Sequence, residues 1–119
     1  MKIALFGTNF SENFNKYIQH LINKLEAENI KIYVEQFFYN YLEDRLRFKN
    51  DVFTFTNHDD LKNKADVLFS IGGDGTLLNA VSYVRDSNIP ILGINTGRLG
   101  VILSVAPDQL DKAVNDVLA

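Results

Sequence analysis

Cysteine is absent from these 119 residues. That excludes disulfides, thiolate zinc sites and a cysteine nucleophile, and it fits a reducing compartment. No run of about 18 apolar residues occurs, so no segment reads as a membrane span. The opening run Met1-Lys2-Ile3-Ala4-Leu5-Phe6 is too short for the apolar region of a signal peptide and breaks at Gly7. There is no basic run and the net charge is −3, which argues against nucleic acid as a partner. Internal repeats, low-complexity tracts and linkers are missing too. What remains is a chain that is 46% hydrophobic and 23% charged, enough to bury a core. Its length predicts one domain over 1–119, with the cytoplasm as the expected location.

Strand and helix signals alternate along the chain. Residues 2–6 read as a buried strand, followed by a turn at Gly7-Thr8-Asn9. Asn9 or Ser11 can cap a helix reaching about Asn29, with an apolar stripe of Phe14, Ile18, Leu21, Ile22 and Leu25. His20 lies off that stripe and reads as solvated. Residues 31–34 alternate as a second strand. Residues 36–48 have helical spacing, with Leu42, Arg45, Leu46 and Lys49 as the C-terminal half. The aromatic cluster there reads as core or subunit contact. Residues 52–56 make a third strand. Asn57 caps a brief helix through Leu61, with Asp60 as a weak capping-box partner and His58 exposed in its first turn. Pro90 follows a helix over 77–84, residues 91–94 form another buried strand, and 101–105 a short edge strand. Pro107 starts a last helix whose apolar face is Leu110, Ala113, Val114, Val117 and Leu118. The alternation predicts an α/β fold, a three-layer Rossmann-like domain with a mostly parallel sheet.

The chemistry concentrates at residues 67–78. Val67-Leu68-Phe69-Ser70-Ile71 has the apolar character of a strand buried on both faces. Gly72, Gly73 and Gly75 then surround one acid, Asp74, and Thr76 opens a helix. Strand, glycine turn and helix N-terminus make an anion site, because glycines admit a ligand close to the backbone and the first helical N–H groups lack internal partners. The loop is neither a Walker A sequence nor Gly-x-Gly-x-x-Gly. An acid amid such a loop would repel phosphate unless it holds a divalent cation or accepts a proton from an attacking hydroxyl. The plainer alternative is that Asp74 only caps the helix.

A second glycine loop follows the next strand: Asn95-Thr96-Gly97-Arg98-Leu99-Gly100. Arg98 can donate bidentately to a phosphate or carboxylate. With strand order 3-2-1-4-5 the switch point lies between strands one and four. The turn at Gly7, the loop around Asp74 and the loop at Asn95 would then share one rim, where such sheets bind ligands.

The two loops together, Gly72-Gly73-Asp74-Gly75-Thr76 and Gly93-Ile94-Asn95-Thr96-Gly97-Arg98-Leu99-Gly100, resemble those of the NAD kinase family, bacterial type. The first loop alone is shared with diacylglycerol and sphingosine kinases and loosely with phosphofructokinases. The resemblance implies an NAD kinase/phosphofructokinase-like N-terminal domain. It implies transfer of the γ-phosphoryl of ATP, or of polyphosphate, to the 2′-hydroxyl of the adenosine ribose of NAD, with a divalent metal such as Mg²⁺. Asp74 would be the base, Gly72, Gly73 and Gly75 would approach phosphates, and Thr76, Asn95 and Arg98 would be polar contacts near the site. Asn9 matches a polar position of the family's first turn. No residue is assigned as a metal ligand.

Two departures from the family pattern carry further expectations. The resemblance implies a β-rich C-terminal domain that grips the NAD ribose, and this sequence stops where that domain would start. The family's Leu-Gly-Phe is here Leu99-Gly100-Val101, followed by Ile102-Leu103-Ser104-Val105. Both features are those expected of an excised or engineered N-terminal domain, inactive or weak in isolation, with apolar surface available for homo-oligomer formation. The alternatives are a lipid kinase half-domain, or a non-catalytic nucleotide-binding or self-associating scaffold domain.

Overall fold

A computed structural model describes residues 1–8, 12–95, 103–104 and 107–119. Six strands form one sheet: β1 (Lys2–Gly7), β2 (Lys31–Glu35), β3 (Val52–Phe55), β4 (Val67–Gly72), β5 (Ile91–Asn95) and β6 (Leu103–Ser104). Their order is β3-β2-β1-β4-β5-β6, and the pairings between neighbours are parallel. The expected order of the first five strands holds, with β6 as a short edge strand inside the expected 101–105; residues 101, 102 and 105 lie outside the described residues.

Among the described residues five α-helices cover the two faces: α1 (Asn15–Ala27), α2 (Gln36–Leu42), α3 (His58–Leu61), α4 (Asp74–Val84) and α5 (Pro107–Leu118). Strand side chains alternate between two cores. Ile3, Leu5, Ile32, Val34, Val67, Phe69 and Ile71 face α1, α2 and α5, where Leu21, Leu25, Phe38, Leu42 and Val114 meet them. Ala4, Phe6, Tyr33, Phe55 and Leu68 face α3 and α4. The stripe on α1 is the one its spacing predicts, with Ile18, Leu21, Ile22 and Leu25 buried.

Helix boundaries depart from expectation where tertiary partners intervene. A 3₁₀ turn, Glu12–Phe14, precedes α1, whose N-cap position is Phe14; Asn9 and Ser11 lie outside the described residues. The helix closes on Asn29 at φ 58°, with the Ile30 N–H donating to the Leu25 carbonyl at 3.0 Å, a C-terminal turn that asparagine tolerates. The helix expected over 36–48 ends at Leu42. Beyond it, α1 satisfies the backbone instead: Gln19 both donates to the Arg47 carbonyl (2.9 Å) and accepts from its N–H (2.7 Å). The Glu26 carboxylate accepts from the N–H groups of Lys49 and Asn50. By contrast, α4 ends at Val84 as expected, where Arg85 takes a φ of 42°, and begins earlier than expected, at Asp74.

Both histidines have partners. His20 Nε2 is 2.8 Å from Asp111 Oδ1, joining α1 to α5. His58 is buried, not exposed: its Nδ1 lies 2.9 Å from the Tyr83 carbonyl oxygen. Asn57 caps α3 by accepting from the Asp60 N–H, while Asp60 reaches back to the N–H and hydroxyl of Thr56 rather than to Asn57.

Two outcomes follow from this packing. Leu21 is fully buried and Phe37 is 76% exposed, so Leu21→Ala should cost about 2–5 kcal/mol and Phe37→Ala no more than about 0.5 kcal/mol in urea unfolding. Equal losses would contradict the core assignment. The hydrogen bonds from Thr56, its hydroxyl first, hold the Asp60 carboxyl below the ordinary aspartate range. A depressed carboxyl stabilises the fold above its unfolded pKa, and that contribution is lost as pH falls through the folded one. The stability gap between the parent and Asp60→Asn should therefore close in strongly acid solution; a gap independent of pH would refute it.

Candidate functional site

The switch point falls between β1 and β4, whose neighbours β2 and β5 are reached by crossovers in opposite directions. Register aligns the strand ends: Gly7 pairs with Ile71, and Gly72 pairs with Asn95. The carboxyl ends of β2, β1, β4 and β5 therefore form one rim, carrying Glu35, Gly7, Gly72 and Asn95 in that order. Ligands of open parallel sheets bind in such a crevice.

Gly72 has a φ of 153°, and a Cβ there would lie 2.9 Å from the Cβ of Thr76. Only glycine fits between the end of β4 and the first turn of α4. By contrast, a Cβ on Gly73 or Gly75 would meet nothing within 4 Å. Those two glycines border open space where backbone can be approached. The N-cap of α4 is Gly73, and Asp74 is the first helical residue. Asp74 thus opens the first turn, where an acid also complements the helix dipole. By position, the first N–H groups of α4 have no intrahelical acceptors and carry the positive end of the helix dipole. Thr76 is buried, and its hydroxyl hydrogen-bonds the hydroxyl of Thr8 in the turn after β1. That bond ties the two loops flanking the switch point.

Of the residues singled out in the sequence, Gly72, Gly73, Asp74, Gly75 and Thr76 are consecutive around this turn, and the backbone of Asn95 lies beside Gly72. Asn9, Arg98 and the rest of the second loop (96–100) lie outside the described residues. Among the described residues no group of three or more His, Asp and Glu side chains could hold a metal ion.

A cavity of about 490 Å³ opens at the ends of β1 and β2, on the α4 face, and none of its eight described lining residues was singled out as a site residue, although Gly7 and Thr8 were expected on the rim. Phe6, Gly7 and Thr8 line it from β1 and its turn, Glu35 and Phe37 from the end of β2 and the start of α2, and Asn79, Ser82 and Tyr83 from α4. Gly7 leaves room for the Phe38 ring, which a Cβ would meet at 2.8 Å. The Tyr83 ring packs on Phe6 and edge-on to Phe55, with centroids 5.0 and 5.4 Å away. Burial, and then the nearby Glu35 charge, push its hydroxyl above the ordinary tyrosine value. Glu35 hid from sequence reading because the alternating pattern ends at Val34. The available signal was an acid directly after a strand and before an aromatic-rich helix.

Gly72→Ala should destabilise the domain by about 1–3 kcal/mol through strain and the clash with Thr76, whereas Gly73→Ala should be tolerated; denaturant midpoints compare them, and equal effects would contradict the geometry. Tyr83 should ionise above the ordinary tyrosine value in an ultraviolet titration. The unfolded chain then loses its proton first, so stability falls as pH rises through the unfolded tyrosine value. Glu35→Gln should bring Tyr83 part of the way back; no change would show that Glu35 does not act on it.

Comparison with known proteins agrees with this geometry. The family model for the ATP-NAD kinase N-terminal domain matches residues 5–119. An NAD kinase of Christiangramia forsetii is 35% identical over 118 residues, covering 99% of this chain and 40% of the relative. One from Cytophaga hutchinsonii is 38% identical, covering 100% of this chain and 41% of the relative. The chain thus spans about two-fifths of the length of these curated relatives. The crystal structure of a yeast NADH kinase complexed with NADH superposes with a TM-score of 0.78 at 19% identity, over 99% of this chain and 38% of that one, which shows a shared fold. With the family model matching nearly end to end, the chain belongs to the ATP-NAD kinase family and corresponds to its N-terminal domain.

Proposed function

We propose that this domain supplies the phosphate-binding and proton-accepting half of a kinase site. The reaction is transfer of the γ-phosphoryl of ATP, or of polyphosphate, to the 2′-hydroxyl of the adenosine ribose of NAD. The observation that carries this reading is the turn at the switch point. Glycines with open space around them lead into the first turn of α4, which Asp74 opens. Phosphoryl transfer asks little covalent chemistry of a protein, so positioning and charge stabilisation dominate. A secondary hydroxyl is a poor nucleophile and gains from a carboxylate base placed at the helix start. In this reading Thr76, Asn95, Arg98 and Asn9 are polar contacts around the phosphates, and a divalent ion enters with them.

The greater part of each relative lies outside the matched segment. In this reading that part, a further β-rich domain, grips the acceptor ribose, so the 119-residue chain alone turns over weakly or not at all. The test is a chimera in which this chain replaces the matching segment of the Cytophaga hutchinsonii NAD kinase. It should form NADP from ATP and NAD, and Asp74→Asn in it should lower kcat by about 10²–10⁴-fold. Undiminished turnover by the variant would exclude Asp74 as base. Phosphorylation of diacylglycerol in place of NAD would favour the lipid kinase reading.

Self-association is the second reading, favoured by Leu78 and Val81, which stand 74% and 51% exposed one turn apart on α4. A dimer mass in sedimentation that Leu78→Lys returns to monomer would support it; a monomeric parent would end it.

A further inference from the structure

The cavity at the ends of β1 and β2 holds polar groups that phosphate binding does not use. We propose that it takes the nucleoside of the donor nucleotide, with Glu35 accepting hydrogen bonds from the ribose 2′- and 3′-hydroxyls. This rests on the reading above, in which the glycine loop holds the donor's phosphates.

Charge decides what part of a ligand can sit there. Glu35 is 2% exposed and in the cavity wall, so its carboxylate repels phosphate and attracts hydrogen-bond donors. Its oxygens take the N–H groups of Phe37 (2.8 Å) and Phe38 (3.2 Å). A carboxylate offers roughly four acceptor positions, so two backbone bonds leave capacity for two hydroxyls. The remaining wall suits a nucleoside. Phe6, Phe37 and Tyr83 give aromatic surface for a base, and Asn79 and Ser82 give polar edges from the exposed side of α4.

Position decides which nucleotide. An acid at the carboxyl end of the second strand of a parallel sheet is well placed to bind ribose hydroxyls when the phosphates lie at a helix N-terminus on the same rim. Here the ends of β2 and β4 are separated by β1 alone, which is about 10 Å at 4.8 Å per strand. A triphosphate bridges such a gap. The acceptor hydroxyl must instead lie within hydrogen-bond reach of the transferred phosphoryl. The ribose beside Glu35 is therefore the donor's.

The test is calorimetric titration of the 119-residue chain with ATP, 2′,3′-dideoxy-ATP, NAD and inorganic tripolyphosphate, each with Mg²⁺. ATP should bind about tenfold or more tighter than dideoxy-ATP or tripolyphosphate, the scale of hydrogen bonds to a charged acceptor. Glu35→Gln should reduce the ratio of ATP to dideoxy-ATP affinity to near one and leave tripolyphosphate binding unchanged. Ser82→Trp, made at an exposed position, should obstruct the cavity and weaken ATP alone; it carries the test if Glu35→Gln fails to fold. Equal affinities for ATP and tripolyphosphate in the parent, or a ratio that Glu35→Gln leaves intact, would overturn the nucleoside assignment while the phosphate loop stands. Dependence on Glu35 for NAD but not for ATP would overturn the donor assignment. Absence of binding by tripolyphosphate and ATP alike would overturn the phosphate reading, and this one with it.

Discussion

The rim of the sheet is held in shape by a contact that admits no side chain. Gly72 passes so close to Thr76 that a methyl group on it would overlap the threonine. That approach starts α4 directly at the end of β4 and turns its N-terminus over the switch point. Thr76 in turn carries the hydroxyl that Thr8 meets from the neighbouring strand end. One glycine therefore sets the helix, the helix sets the threonine, and the threonine ties the turn after β1. Gly73 and Gly75 have a different role: they keep the outer side of the turn bare. The three glycines look alike in sequence but answer to two separate constraints, internal packing at one and ligand access at the others.

The crevice is divided electrostatically. On the β4 side, the N-terminus of α4 favours an anion. On the β2 side, the buried Glu35 carboxylate disfavours one. Glu35 is stable there because α2 supplies two N–H donors, so the charge that polarises the cavity also starts the helix that walls it. Cap and cavity wall are the same side chain, and neither role is separable from the other.

Much of this was legible in the sequence, and what was not has a common cause. The parallel sheet follows from apolar strands such as 67–71 alternating with amphipathic helices, because each strand must be covered on both faces. The glycine loop was legible because its conformational demand is local. Failures came where a partner distant in sequence decides the outcome. Spacing continues the helix past Leu42, but Gln19 and Glu26 hold the backbone of residues 47–50 in another shape. His58 looks solvated until α4 brings the Tyr83 carbonyl to it. Glu35 ends one pattern and begins another, so neither the strand nor the helix period marks it.

The central place of β1 has a consequence for how the chain reaches this fold. Its first residues bond on one side to β2 at Lys31 and on the other to β4 at Val67, and α1 is sealed only when Asp111 of α5 reaches His20. Such separations make loop-closure entropy due before the contacts that offset it form. The half of the sheet from β1 to β3 can assemble from near neighbours, but the switch point cannot exist until β4 inserts against β1. The ligand crevice thus depends on a pairing between residues as distant in sequence as Ile3 and Val67.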